Sequence, residues 1–251
     1  MEAMVPAAGH GVASEGALLF ASAASSGSSA SEVPLSGYFV LAQQWPAGVC
    51  RGEDGCAAGR GAGGGWTLHG LWPTYAGGGW PSFCDASRPF DASAVSASTL
   101  ADLAAHWPNL YAGASGDAAF WGHEWDKHGT CATAAPFSAA ALGDEEAYFG
   151  AALRLRSKMD LRAALDDAGI APSSTATYPA ANVRRALAKR AGGHAPVLHC
   201  GAEGVLHEAW LCLDASLAPT SCPPPPDDAL EAPSSSCGDV VVLRRGGLGP
   251  G

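Results

Sequence analysis

The chain has 251 residues, of which 47% are hydrophobic, and its formal net charge is −10 at pH 7. This length and apolar content suffice for one domain with a substantial core. No run approaches the roughly 20 apolar residues that cross a bilayer, so we predict no transmembrane segment and no membrane partner. The negative charge argues against a protein that holds nucleic acid by counterion release, although a small local patch can still contact a polyanion briefly.

Residues 1–36 consist mostly of Ala, Ser and Gly without periodicity, and we interpret them as a leader or a disordered segment. A secretion signal normally has a basic region before its apolar core, whereas the apolar stretch "GALLFASAASS" follows no Lys or Arg. The ordered chain is predicted to begin with a strand at "GYFVLAQQW" (residues 37–45), whose Tyr38, Val40 and Ala42 share one face.

The glycine-rich residues 51–65 are predicted to form a loop, and they lack the pattern of a phosphate-binding P-loop. "WTLHGLWP" (66–73) is predicted to be a short strand that Pro73 ends. Helical spacing follows in four segments, namely 96–107, 117–129 with Gly129 at its end, 144–159 and 182–193. "APVLHC" and "GVLHEAWLCLD" are predicted to be the two strands of a hairpin whose turn is 201–204.

Helices in the middle and strands at both ends indicate an α+β fold. We predict a single domain over residues 37–243, with a central antiparallel sheet packed against several helices and stabilised by disulfides. "PPPP" at 223–226 is predicted to be a rigid surface segment, and residues 244–251 a flexible tail.

The cysteines are even in number, spread along the chain and free of any C-x-x-C pair, which argues against tetrahedral zinc. Four disulfides in an oxidising compartment are favoured over eight reduced thiols in the cytosol. We therefore expect a secreted, vacuolar or otherwise extracellular protein. The eight residues are Cys50, Cys56, Cys84, Cys131, Cys200, Cys212, Cys222 and Cys237.

The segment "GHEWDKHGTC" (122–131) crowds chemistry into a chain that has few charges. A zinc site of the H-E-x-x-H type places its histidines four apart. His123 and His128 are five apart, about 140° around a helix, so we predict no metal and no cofactor. A solvated helix face remains the simple alternative, although such a face would not need two histidines.

Helical spacing pairs His123 with Lys127 and Glu124 with His128, and all four side chains fall within one arc. Lys127 beside His123 makes a cationic patch that suits a phosphate. Glu124 beside His128 is expected to raise the pKa of that histidine, while Trp125 is expected to point into the core.

Acid–base catalysis of phosphoryl transfer needs a second group that titrates near neutrality. His69 in "WTLHGLWP" is the natural partner for His128. By itself, a lone histidine at the end of a strand is more often a satisfied core residue.

Together, "WTLHGLWP" and "HEWDKHGTC" closely resemble the two active-site segments of the ribonuclease T2 family, and their order along the chain fits. "YFVLAQQWPAGVC", "FCD" at 83–85 and "HWPNL" at 106–110 add to this similarity, which runs from about Gly37 to Cys237. The chain looks most like the plant S-like members. The resemblance implies an endoribonuclease that cleaves single-stranded RNA without a metal, through a 2′,3′-cyclic phosphate.

The family's roles transfer to matching positions. By this resemblance, His128 is the general base and His69 the general acid. His123 would hold the phosphate, while Glu124 and Lys127 would stabilise the transition state. The alternatives are a catalytically silent binding or storage relative, and a metal-dependent hydrolase that a chelator would expose.

The resemblance also implies contacts to an RNA base for Gln44, Asn109 and Phe120, and places Trp72 near the phosphate. Plain core packing is the alternative for Phe120 and Trp72. The implied disulfides are Cys50–Cys56, Cys84–Cys131, Cys200–Cys237 and Cys212–Cys222. We expect a monomer whose partner is the RNA substrate.

Overall fold

The computed structural model of the protein describes residues 36–50, 56–57, 60, 64–111, 116–224 and 236–246. The predicted leader, the greater part of the glycine-rich loop, half of the proline run and most of the tail lie outside the described residues. No helix in the described part of the chain is long and apolar enough to span a membrane.

The described strands form one antiparallel sheet and a small two-stranded ribbon. The sheet has the order β2-β1-β5-β4, with β6 beside β5, and the ribbon pairs β3 with β7. This arrangement confirms the predicted α+β fold and the hairpin near the C-terminus. The strands are β1 (Gly37–Gln44), β2 (Thr67–Tyr75), β3 (Tyr178–Pro179), β4 (Val197–Cys200), β5 (Leu206–Leu213), β6 (Pro219–Thr220) and β7 (Val240–Val241).

The four predicted helices are present, and several begin at capping side chains. Ser96, Asp144 and Asp160 each accept a hydrogen bond from a backbone N–H in the first turn of the helix that follows. The described helices are α1 (Pro46–Val49), α2 (Ala97–His106), α3 (Asp117–Lys127), α4 (Glu145–Lys158), α5 (Leu161–Asp166) and α6 (Ala180–Ala188).

The prediction that Pro73 ends the second strand is wrong, because β2 continues to Tyr75. β2 lies at the end of the strand order, next to β1. An edge strand tolerates proline because backbone N–H groups on its open side need no strand partner. Pro73 therefore sits within β2, opposite Phe39.

The predicted end of α3 at Gly129 is also wrong, because the helix ends at Lys127 and a 3₁₀ turn follows over Gly129–Cys131. Gly129 is needed for packing instead. A Cβ atom there would lie 2.3 Å from the ring of Trp125. The close approach lets the chain turn tightly over that buried indole.

The two faces of β1 have different surroundings. Phe39 and Leu41 belong to the main hydrophobic core. Tyr38, Val40 and Ala42 cluster with Cys212 on the other face, as their alternation predicts, with Trp72 and Trp210 packed against them. The functional site described below is built over this second face.

Four disulfides join the described cysteines, with the pairing that the family resemblance implies. Packing also continues slightly beyond the predicted boundary at residue 243. Leu243 is buried, and the carbonyl of Arg244 accepts a hydrogen bond from Trp45 Nε1 at 2.8 Å.

Candidate active site

A cavity of about 350 Å³ opens over the second face of the sheet. It brings together side chains from both histidine motifs, one motif on β2 and the other on α3. These motif residues are His69, Trp72, His123, Glu124, Lys127 and His128. The remaining lining is mostly apolar or aromatic and consists of Val40, Thr74, Trp80, Phe120 and Trp210.

Side chains from the helices hold the backbone of the first motif. Trp107, just after α2, donates its indole N–H to the carbonyl of His69 at 2.8 Å. Tyr148 on α4 donates its hydroxyl to the carbonyl of Leu71, also at 2.8 Å. Both donors are fully buried. The helical layer therefore fixes the part of β2 that carries His69.

Trp72 links the two motifs directly. Its indole N–H donates to Glu124 Oε2 at 2.8 Å, and its ring centroid lies 4.9 Å from that of His69 and 5.5 Å from that of His128. Gly70 makes room for this contact, because a Cβ atom there would lie 1.8 Å from Trp72 Nε1 and 2.5 Å from Glu124 Oε2. The glycine of "LHGLW" is thus required by the site itself.

Helix α3 divides its side chains between the cavity and the core. His123, Glu124 and Lys127 line the cavity, as does His128 directly after the helix, while Trp125 is fully buried and donates its indole N–H to the carbonyl of Arg88. The prediction of a core role for Trp125 is confirmed. A solvated face is excluded for this segment because Glu124 is 2% exposed and His128 5% exposed.

A carboxylate that the sequence analysis did not select completes the surroundings of His69. Glu208 on β5 accepts a hydrogen bond from His69 Nδ1 at 2.8 Å. Burial by itself would lower the pKa of His69, but the charge and hydrogen bond of Glu208, with a smaller contribution from Glu124, raise it above the ordinary value of 6.5. The available signal was one Glu within the strand "LHEAWLCL", whose other residues are apolar except for His207.

The pKa of His128 is shifted in the opposite direction. Burial lowers its pKa to about 3, and the positive charges of Lys127, His123 and His69 act in the same direction. The expectation that Glu124 raises this pKa is wrong, because the carboxyl of Glu124 bonds to Trp72 and is itself poorly charged. Its burial raises the pKa of Glu124 to about 7, despite His69 and the Trp72 hydrogen bond.

The residues predicted to contact a base or to lie near the phosphate fall into two groups. Phe120 and Trp72 line the cavity. Gln44 is buried in β1 and donates to Glu208 at 3.1 Å, and Asn109 accepts from the backbone of Tyr111. Base contact by Gln44, Asn109 and Phe120, and a place near the phosphate for Trp72, stay predictions. Sequence reasoning missed Trp80, which lines the cavity and is 40% exposed.

The described part of the chain contains no evident metal-binding site. There, no group of three or more His, Cys, Asp or Glu side chains is arranged to hold a metal ion. Metal independence stays a prediction, to be tested with a chelator.

Comparisons with known proteins agree with this architecture. The model of the ribonuclease T2 family matches residues 36–222. Ribonuclease 1 of Arabidopsis thaliana is 37% identical over 71% of this chain and 76% of its own length, and Ribonuclease Oy of Magallana gigas is 38% identical over 74% and 86%. The crystal structure of RNase NT in complex with 5′-AMP superposes with a TM-score of 0.69 at 31% identity, covering 83% of this chain and 98% of that one.

The fold is that of a disulfide-bonded ribonuclease, and the family match covers most of the chain. The chain belongs to the ribonuclease T2 family. It is a T2-type endoribonuclease.

Proposed function

We propose that the protein cleaves single-stranded RNA by metal-independent transesterification, with His128 as general base and His69 as general acid. One observation carries this proposal. The two imidazoles line the same cavity, and their surroundings favour opposite protonation states. Pairs of titratable groups whose environments separate their pKa values are the usual mark of an acid and a base.

The reaction follows from these states. Neutral His128 accepts the proton of the ribose 2′-hydroxyl, and the 2′-oxygen forms a bond to phosphorus. The bond from phosphorus to the 5′-oxygen breaks, and cationic His69 gives its proton to that leaving oxygen. The products are a 2′,3′-cyclic phosphate and a free 5′-hydroxyl. DNA lacks the nucleophile and is not a substrate.

The remaining polar groups of the cavity suit the phosphate. Lys127 brings a cationic donor to its oxygens and His123 brings an imidazole N–H, since burial and the charges of Lys127 and His69 lower the pKa of His123. With a pKa raised by burial to about 7, Glu124 is a neutral carboxyl at mildly acidic pH and can donate a hydrogen bond to the developing oxyanion. These groups therefore stabilise the negative charge of the phosphate without a metal ion.

The aromatic lining supports recognition of unpaired bases. Phe120 and Trp80 border the cavity, and base–aromatic stacking requires an unstacked base with an exposed face. This supports single-stranded RNA as the substrate. Four disulfides support an oxidising compartment, secreted or vacuolar, as the place of action.

The experiment is cleavage of single-stranded RNA by the oxidised protein in excess EDTA. We expect the wild type to release fragments that end in a cyclic phosphate, and we expect His69→Ala and His128→Ala each to lose roughly 10²–10⁴-fold in rate. His106→Ala is the matched control, because His106 lies at the end of α2 and not on the cavity. It is expected to cleave like the wild type.

Three results would contradict the proposal. Loss of activity in EDTA would indicate a metal-dependent hydrolase. RNA binding without cleavage would indicate a binding or storage protein. Unchanged cleavage by either histidine variant would remove that residue from the mechanism.

A further inference from the structure

Glu208 lies outside both histidine motifs, on the central strand β5, yet its carboxylate reaches into the site. Its side chain is only 13% exposed. Oε1 accepts hydrogen bonds from His69 Nδ1 at 2.8 Å and from Gln44 Nε2 at 3.1 Å, and Oε2 accepts one from Trp210 Nε1 at 2.6 Å. Both oxygens are therefore satisfied by donors that come from three different positions of the sheet.

These donors keep Glu208 ionised. Burial would raise its pKa, but the charge and hydrogen bond of His69, with the bonds from Trp210 and Gln44, lower it to about 2. An ionised carboxylate only accepts hydrogen bonds, so Nδ1 of His69 must carry a proton. The second ring nitrogen, Nε2, is left to hold the proton that moves during catalysis.

The other charges near His69 do not replace this contact. From α3, Glu124 attracts the imidazolium and Lys127 repels it, both less strongly than Glu208. His199 and His207 flank Glu208 on β4 and β5, and burial lowers the pKa of both below the ordinary value. Glu208 is thus the principal anion that faces His69.

His128 has no comparable partner. Its buried Nδ1 atom has no hydrogen-bond partner among the described residues. The raised pKa of His69 therefore originates in β5, a strand that neither motif contains.

We propose that Glu208 is the positioning residue of the general acid, holding His69 in one ring orientation with Nδ1 protonated and keeping it cationic until the 5′-oxygen departs. The inference rests on the proposed function, since it assigns His69 the role of acid. Gln44 and Trp210 hold the Glu208 carboxylate in turn, which gives Gln44 a role in the sheet that differs from base contact.

The sharpest test compares two leaving groups. A nucleoside 3′-(4-nitrophenyl phosphate) expels a stable phenolate and needs little help from a general acid, whereas a dinucleoside phosphate expels an alkoxide and needs it fully. With the dinucleoside phosphate, we expect Glu208→Gln to lower kcat by roughly 10–100-fold with little change in KM. With the nitrophenyl ester, we expect a loss smaller than about 3-fold.

The variants His69→Ala and His128→Ala are assayed on the same two substrates, for comparison with Glu208→Gln. His69→Ala is expected to show the same selective loss as Glu208→Gln but larger, while His128→Ala is expected to lose activity on both substrates. Glu203→Gln is the control, because Glu203 lies in the turn before β5 with its side chain 80% exposed. It is expected to behave as the wild type on both substrates.

The pH dependence gives a second readout. Removing the carboxylate charge lowers the pKa of His69, so the midpoint of the His69 NMR titration is expected to move to lower pH in Glu208→Gln and to return partly in Glu208→Asp. The ¹⁵N and ¹H NMR titration of His69 in the wild type reports the same property without any variant. We expect an Nδ1–H tautomer and a midpoint above 6.5.

The outcomes separate the two proposals. If His69→Ala keeps its activity, the proposed function fails. If His69→Ala is inactive on the dinucleoside phosphate while Glu208→Gln loses activity equally on both substrates, or keeps the wild-type titration midpoint of His69, the role of Glu208 is overturned. If Glu208→Gln does not fold, an Nε2–H tautomer or a midpoint at or below 6.5 in the wild type overturns it equally.

Discussion

His69 and His128 are the same side chain in two environments. A carboxylate at 2.8 Å favours the cation at His69, whereas burial among positive charges favours the neutral ring at His128. Burial also keeps Glu124 largely protonated below about pH 7. The sequence gives the residue types, but the direction of each pKa shift depends on the combined effect of burial and neighbouring charges.

Lys127→Met tests this electrostatic balance at the residue scale. Lys127 helps to lower the pKa of His128, so removing its charge raises that pKa. His128 must be neutral to act as base, and activity is lost as pH falls through its pKa. The acid limb of kcat/KM, expected near pH 3 in the wild type, is therefore expected to move to higher pH.

The measurement is a kcat/KM profile with a dinucleoside phosphate, and Lys158→Met is the control because Lys158 is exposed at the end of α4. An acid limb that stays in place, or moves to lower pH, would contradict the assignment of His128 as base.

Helix α3 is fastened at its C-terminal end by a loop from the preceding part of the chain. Phe83 donates its backbone N–H to the carbonyl of Lys127 at 3.0 Å, and the N–H of Cys84 donates to the Thr130 hydroxyl at 3.2 Å. The Cys84–Cys131 disulfide closes the same junction. These contacts set the position of the turn that carries Lys127 and His128.

Replacing both cysteines of a disulfide by alanine tests this junction at the element scale. Cys84 and Cys131 are 47 residues apart, whereas Cys50 and Cys56 are 6 apart. If chain entropy of the unfolded state dominates, removing the longer link costs about 4 kcal/mol in the free energy of unfolding and the shorter about 2 kcal/mol. Denaturant unfolding measures both, and an equal or reversed order would mean that native contacts, not loop closure, dominate.

The whole molecule is strongly acidic although its substrate is a polyanion. It carries 24 Asp and Glu residues against 14 Lys and Arg. The groups that carry positive charge at the cavity are few and local, namely Lys127 from α3 and His69 from β2. Long-range repulsion therefore opposes a local attraction, and the two have different sensitivity to salt.

This balance predicts an unusual ionic-strength dependence. As salt rises from about 20 mM to about 150 mM, we expect kcat/KM for long RNA to rise, or to hold steady, relative to that for a dinucleoside phosphate. Screening removes the repulsion that only the long polyanion experiences. A steep, linear fall of log kcat/KM with log salt for long RNA would instead indicate binding by counterion release.

The catalytic motifs can be identified from the sequence because their residues lie close together in the chain. Four cavity residues lie within the six positions 123–128, the last turn of α3 and its C-cap, where helical geometry alone places them on one side. Alternation likewise predicts which side chains of β1 share a face, and the capping residues Ser96 and Asp144 stand where α2 and α4 begin. Local periodicity and spacing suffice for features of this kind.

Tertiary structure decided the rest, because those features depend on residues far apart in the chain. Glu208 meets His69 across 139 residues, and only the pairing of β5 with β1, and of β1 with β2, brings them together. Pro73 is tolerated because β2 is an edge strand. The pKa of His128 is lowered by burial that no local pattern encodes. The sequence by itself thus determined the family, the elements and the reactive groups, whereas strand order and burial determined their charge states.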